Sequence, residues 1–332
     1  SPMPIDYRLV YPADAVEQAV PIGALASAEF DPRAGAYAKR VALACERAGI
    51  GNAAVIDVAS VAVVRMAMRY GPLGQDGHAY HNQDHLLELL EDKLPALLAQ
   101  AGLTTVGREA LALFCACHDL RQREARRHDD EPIGANEAAS LAETERLLDA
   151  AGLSETTLRM MLRFAIVGST FAAGNDENVQ SQGAFAHRLA GWLDGSQPGW
   201  RDDPVAAEAE HLARMAADID TSNVASPYID FAQSAVALAS EIQYRAGRAL
   251  DAAESAAGCL GFLTEGQERY VFALQRFASR EGRAAFGAQR DANAARVRET
   301  GRRLRERFPD GSTPSSGHAV INAFREIAAQ AP

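Results

Sequence analysis

The chain has 332 residues, 48% of them apolar, and a formal net charge of −11. That is enough apolar material for a large core, in one extended domain or two small ones. The acidic balance argues against binding along a nucleic-acid backbone, which needs Lys and Arg gathered on one face, while a small anionic substrate stays compatible because a bound cation reverses the local field.

No stretch reads as a signal peptide or as a span of about 20 apolar residues, so the expected location is cytoplasmic, with no membrane partner. Ala and Leu dominate, β-branched runs are short and no period-two alternation persists, which makes the expected fold class all-α. In chain order the apolar spacing predicts helices over 35–49, 55–70, 82–100, 107–119, 136–151, 155–167, 204–219, 228–246, 265–284 and 286–307, then a short one from about His318. Gly71-Pro72-Leu73-Gly74 and Asp76-Gly77 break the chain after the second helix, and 168–199, rich in Gly, Ser, Asn and Gln, reads as a flexible loop or lid. Pro309 to Gly317 is a further polar break. Cys45, Cys115, Cys117 and Cys259 form no Cys-x-x-Cys pair and read as buried free thiols.

Three segments carry chemistry. Tyr80-His81-Asn82-Gln83-Asp84-His85 runs straight into Leu86-Leu87-Glu88-Leu89-Leu90, so His81 and His85 stand one turn apart at the start of an amphipathic helix. The segment from Ala110 to Asp119 is apolar on all sides until it ends in His118-Asp119, and a carboxylate at the end of a buried helix is costly unless paired or metal-bound. Met215-Ala216-Ala217-Asp218-Ile219-Asp220-Thr221-Ser222-Asn223 closes a helix with two carboxylates. Singly, each has an ordinary explanation as a solvated cap, a helix emerging into water, or a common helix end.

In combination, His, then His-Asp, then Asp on successive helices resembles the signature of the HD superfamily of metal-dependent phosphohydrolases, over roughly residues 60 to 300. The Tyr-His-Asn-x-x-His string is also similar to the motif of class I cyclic nucleotide phosphodiesterases, which belong to that superfamily. A group of bacterial predicted HD phosphohydrolases pairs the string with a later Asn-Glu-x-x-Ser, here Asn136-Glu137-Ala138-Ala139-Ser140.

The resemblance implies an HD-type helical bundle with additional N-terminal helices: residues 1–55 as a helical extension, 56–308 as the phosphohydrolase domain and 309–332 as a tail with a short helix. It implies His85, His118, Asp119 and a terminal Asp as ligands of a divalent ion, which imidazole and carboxylate together allow to be Zn, Mn, Fe, Ni or Mg. It also places His81 near the scissile bond as an acid and Glu137 where it orients or deprotonates water. For the terminal ligand, Ala217-Asp218-Ile219 fits the family's Ala-Asp-aliphatic pattern and makes Asp218 the choice, whereas Asp220-Thr221-Ser222-Asn223 resembles the phosphodiesterase ending Asp-Leu-Ser-Asn. Helical period leaves the two open, since they flank the stripe of Leu212, Met215 and Ile219 on opposite sides.

The chain departs from these relatives in two places. His78 stands where many carry Arg, and Leu120-Arg121-Gln122-Arg123 replaces an aliphatic-aromatic stretch after His-Asp. Arg121 or Arg123 is the candidate for the missing phosphate contact, although Arg126 and Arg127 nearby fit a solvated basic stretch equally well. Further on, Phe272, Leu274 and Phe277 read as core, with Gln275 a candidate for reading a nucleobase edge. The expected function is hydrolysis of a phosphate ester, a nucleotide-like phosphomonoester or phosphodiester, by metal-activated water. Two other readings stay open: a nucleotide- or partner-binding domain without turnover, and a di-iron oxygenase that would draw extra ligands from His187 and His211.

Overall fold

A computed structural model of the chain describes residues 32–71, 78–122, 133–173, 182–310, 312 and 314–330. The expectations for residues 1–31, for the Gly-Pro break at 72–77 and for Arg123, Arg126 and Arg127 lie outside them. The fold is all-α, and the only sheet among the described residues is an antiparallel pair, β1 (Phe171–Ala173) against β2 (Gln182–Ala184), with Ala172 opposite Gly183. No helix among the described residues is long and apolar enough to cross a membrane.

The chain divides into two compact units, a division that falls inside the stretch 56–308 expected as one domain. The first takes the described residues up to Asp220 together with Ala278–Gly282. It is built from α1 (Pro32–Arg47), α2 (Ala53–Tyr70), α3 (Gln83–Glu88), which runs on through a π turn at Leu89–Lys93 into α4 (Leu94–Leu98), α5 (Thr105–Cys117), α6 (Ala135–Ala150), α7 (Thr156–Gly168), α8 (Leu189–Ser196) and α9 (Pro204–Asp220). Its central element is α5, whose residues from Ala110 to Cys117 are all buried, with α2, α7 and α9 packed around it. An helix apolar on every side has no face to offer water, so it must sit inside. Its start is capped by Thr104, whose Oγ1 accepts the Gly107 N–H at 3.1 Å. The segment 168–199 is not simply an open loop: β1, β2 and α8 lie within it, and α8 buries Leu193. Residues 174–181 of that segment lie outside the described set.

The second unit takes Thr221–Phe277 and the described residues from Arg283 onward. Its helices include α10 (Tyr228–Arg245), α11 (Ala256–Gly261), α12 (Gln267–Arg269) and α14 (Gly317–Ala329), around a core that contains Phe231, Val236, Leu263, Val297, Leu304 and Phe324. The helix predicted over 265–284 is instead two. Helical turns that begin at Ala256 stop at Leu274, Gln275 is extended, and α13 (Arg280–Arg307) starts afresh. The cause is a long-range cap: Arg290 donates to the Val271 and Gln275 carbonyls, which a continuing helix would have used itself. Leu274 is buried as expected and Phe277 packs at the core's edge, but Phe272 lies at the surface beneath the Arg298 guanidinium, 4.0 Å from its ring centre.

All four cysteines are buried and free. Burial pushes the Cys45 thiol up to about 11 and the Cys117 thiol up to about 12, which leaves little reactive thiolate at neutral pH.

Candidate metal centre

The string that begins at Tyr80 works as a helix start. Asn82 is extended, its side-chain oxygen accepts the Asp84 N–H at 3.0 Å and its amide donates to the His78 carbonyl at 2.6 Å. It therefore closes the turn and caps α3, the helix that holds His85 in its first turn. Tyr80 lies against the His85 ring at 4.8 Å and against the His81 ring at 4.9 Å, a packing role that the motif alone did not reveal.

His118 follows the last turn of α5 and stacks on Phe114, one turn earlier, at 4.6 Å. Its Nδ1 lies 2.9 Å from the Phe114 carbonyl, which can only accept, so Nδ1 carries a proton and Nε2 points at the carboxylates. That nitrogen is 3.1 Å from Asp119 Oδ2 and 2.9 Å from Asp220 Oδ1. His85 Nε2 lies 3.5 Å from each of the same two oxygens. The four ligand atoms of His85, His118, Asp119 and Asp220 thus all lie within 4.8 Å of one another.

Asp220, not Asp218, completes the group. The Asp218 carboxylate is buried and turned to the segment Ala278–Gly282, where it accepts the Ala278 N–H at 2.6 Å and the Ser279 N–H at 2.8 Å. Two residues apart on a helix means a rotation of about 200°, so one side chain faces the histidines and the other faces away. The likeness of Asp220-Thr221-Ser222-Asn223 to the phosphodiesterase ending was the signal that pointed to the residue found in the group.

The donor set is two imidazole nitrogens and two carboxylate oxygens, a combination that can hold a divalent ion. A second observation fits a cation: Asp119 Oδ2 is buried and faces the two imidazole nitrogens, while Oδ1 accepts from the Gln122 amide at 3.2 Å. Burial by itself would push the His118 pKa down and both carboxyl pKa values up. The Asp119 and Asp220 charges instead lift His118 well above its ordinary range, and His118 in turn holds both carboxyls below theirs. The pocket is built to keep two negative charges beside a positive one.

The remaining candidates separate around this group. His81 stands outside it, its ring 6.4 Å from that of His85, and its charge is among those that lower Asp119. Glu137 lies in the first turn of α6, into which Gly134 turns the chain at φ 89°. Its carboxyl pKa is raised by burial and then by the charges of Asp119 and Asp220, which places it in their field. Arg121 is a correction: it is buried, with Nε 2.8 Å from Glu143, so it is a core cation and not a surface contact for phosphate. His78 is also buried, 4.7 Å from the Tyr70 ring. Gln275 is likewise committed, its amide oxygen to Arg290 at 3.1 Å and its amide nitrogen to Thr221 at 3.4 Å, which removes it as a reader of nucleobases. Neither His187 nor His211 joins the group, and His211 is held by Arg214 and Glu281. Comparison with known protein families, with curated proteins and with solved structures found no match.

Proposed function

We propose that this chain is a metal-dependent phosphohydrolase of the HD type that cleaves a P–O ester, with a small phosphorylated, nucleotide-like molecule as substrate. The observation that carries this reading is the convergence of His85, His118, Asp119 and Asp220, drawn from the ends of three helices, into one group of ligand spacing. A divalent ion held by these four residues would supply positive charge for a phosphoryl oxygen and would acidify water toward neutral pH. Glu137, its basicity raised by burial and by two neighbouring carboxylates, accepts the proton that water gives up. His81, beside the group and outside it, gives a proton to the oxygen that leaves phosphorus, so that one P–O bond forms as the other breaks and the two protons are accounted for.

The test is metal analysis joined to turnover of bis-nitrophenyl phosphate. Wild-type protein should retain one divalent ion per chain through dialysis, and Asp220→Asn, which keeps the size of the side chain and removes its charge, should lose both ion and turnover. Equal metal content in the two proteins would remove Asp220 as a ligand, and a metal-loaded wild type that cleaves no phosphate ester in a substrate screen would remove the activity.

A further inference from the structure

The geometry points to Asp218 and Ser279 as positioning residues that set the direction in which Asp220 aims, an inference that rests on Asp220 being a metal ligand. Asp218 is 1% exposed, and both its carboxylate oxygens are satisfied by the segment just ahead of α13. Oδ1 accepts the Ala278 N–H at 2.6 Å, and Oδ2 accepts the Ser279 N–H at 2.8 Å and the Ser279 hydroxyl at 2.5 Å. The same hydroxyl oxygen accepts the Gly282 N–H at 2.9 Å, the bond by which a residue ahead of a helix caps its first turn. A negative charge at that end of a helix is favourable. The fit also requires Gly282: a Cβ there would come within 2.1 Å of Asp218 Oδ2.

This clasp does not act alone. His211, Arg214 and Asp218 share one face of α9, at the spacing of three and four residues that brings side chains into line. Arg214 donates to His211 Nδ1 at 2.9 Å, which leaves the His211 proton on Nε2, 3.1 Å from Glu281 Oε1. Arg214 also reaches the Ala278 carbonyl at 3.4 Å. One face of α9 is therefore fastened at three places to the five residues Ala278–Gly282, which settles the rotation of the helix about its axis. Asp220 lies about 200° around from Asp218, so fixing one face fixes where the other points. A ligand carboxylate at the last residue of a helix, where fraying is easiest, needs such a hold.

The test measures Mn2+ affinity by titration calorimetry, alongside thermal unfolding of the metal-free protein. Ser279→Ala removes the hydroxyl that serves both Asp218 and Gly282, and should weaken Mn2+ binding by about tenfold or more, the usual effect of losing a group that orients a ligand. Ser279→Thr keeps the hydroxyl and should stay close to wild type. Glu208→Ala is the control: it lies on the same helix and holds the Thr104 N–H and hydroxyl at 2.9 Å, well apart from the clasp, so it loosens α9 without touching residues 278–282. Unchanged Mn2+ affinity in Ser279→Ala would overturn the inference. So would an equal loss in Glu208→Ala, which would mark general loosening, or a loss in Ser279→Thr as large as in Ser279→Ala. A wild type that takes up no Mn2+ overturns the metal centre and this inference together. Because the readout is affinity, failure of phosphate-ester turnover alone leaves it standing.

Discussion

At the scale of single residues, His81 and His85 share a sequence string but stand in different positions. His85 Nε2 lies 3.5 Å from both carboxylates, whereas the His81 ring sits one ring beyond it, against Tyr80. An acid that protonates a departing oxygen matters little when that oxygen leaves as nitrophenolate and much when it leaves as an alkoxide, and such catalysis contributes about a hundredfold to ten-thousandfold. His81→Ala should therefore lower kcat steeply on a ribose-linked phosphate ester, barely on bis-nitrophenyl phosphate, and leave metal content intact. Equal losses on both substrates would remove His81 as the acid, and loss of the ion would make it a ligand. Gln122 has a role in the stretch after His-Asp: its amide bonds both the Asp119 carbonyl and Asp119 Oδ1 at 3.2 Å, so the polar residue there orients a member of the His/Asp group.

Among elements, α2, α6 and the chain leaving α5 are tied by one buried carboxylate. Glu143 on α6 meets Arg65 at 2.7 Å, Arg69 at 2.8 Å and Arg121 at 2.8 Å, and Arg69 also donates to the Leu120 carbonyl at 2.7 Å, next to Asp119. Ser140, one turn before Thr144 on the same helix, accepts the Arg121 N–H at 3.0 Å. Burial works against ionisation of Glu143, but the three guanidiniums prevail and hold its carboxyl at about 2 against an ordinary 4.5. Each tenfold change in proton affinity is worth about 1.4 kcal/mol, so ionised Glu143 contributes ~3 kcal/mol to folding. Since the folded pKa is depressed, that contribution is complete above about pH 4.5 and is lost as pH falls toward 2. Glu143→Gln leaves the arginines without this charge and should cost about 3–5 kcal/mol in urea unfolding at pH 7. It should also flatten the acid limb of stability against pH; a midpoint and acid limb like those of wild type would show the knot to be energetically idle.

For the molecule as a whole, all four donors belong to the first compact unit. An ion that binds only the folded site stabilises it by mass action, about 2.7 kcal/mol at a hundredfold excess over Kd. Hydrogen exchange with and without Mn2+ should therefore slow at residues 83–90, 111–119 and 215–220 and stay the same over 228–245 and 317–329. Uniform protection across both sets, or none in the first, would contradict a centre confined to these helices.

Much of this was legible in the chain. The apolar spacing that buries α5 on every side, the Asn82 cap that starts α3 and the string His118-Asp119 are local properties, so they read directly: most helix positions and the all-α class follow from residues a few places apart, and the resemblance of these strings to the HD pattern singled out His85, His118 and Asp119, which the fold gathers into one group. The fourth member was decided elsewhere. Asp218 and Asp220 have the same chemistry on opposite faces of a helix end, and Asp218 is taken because backbone donors 60 and 61 residues downstream fold against it. The break after Leu274 has the same origin, since Arg290 reaches back 19 residues to the Val271 carbonyl. Arg121 reads as an exposed cation until Glu143 meets it from another helix. Spacing along a chain determines which residues share a helix face; which partner satisfies a buried charge is determined only when distant segments meet.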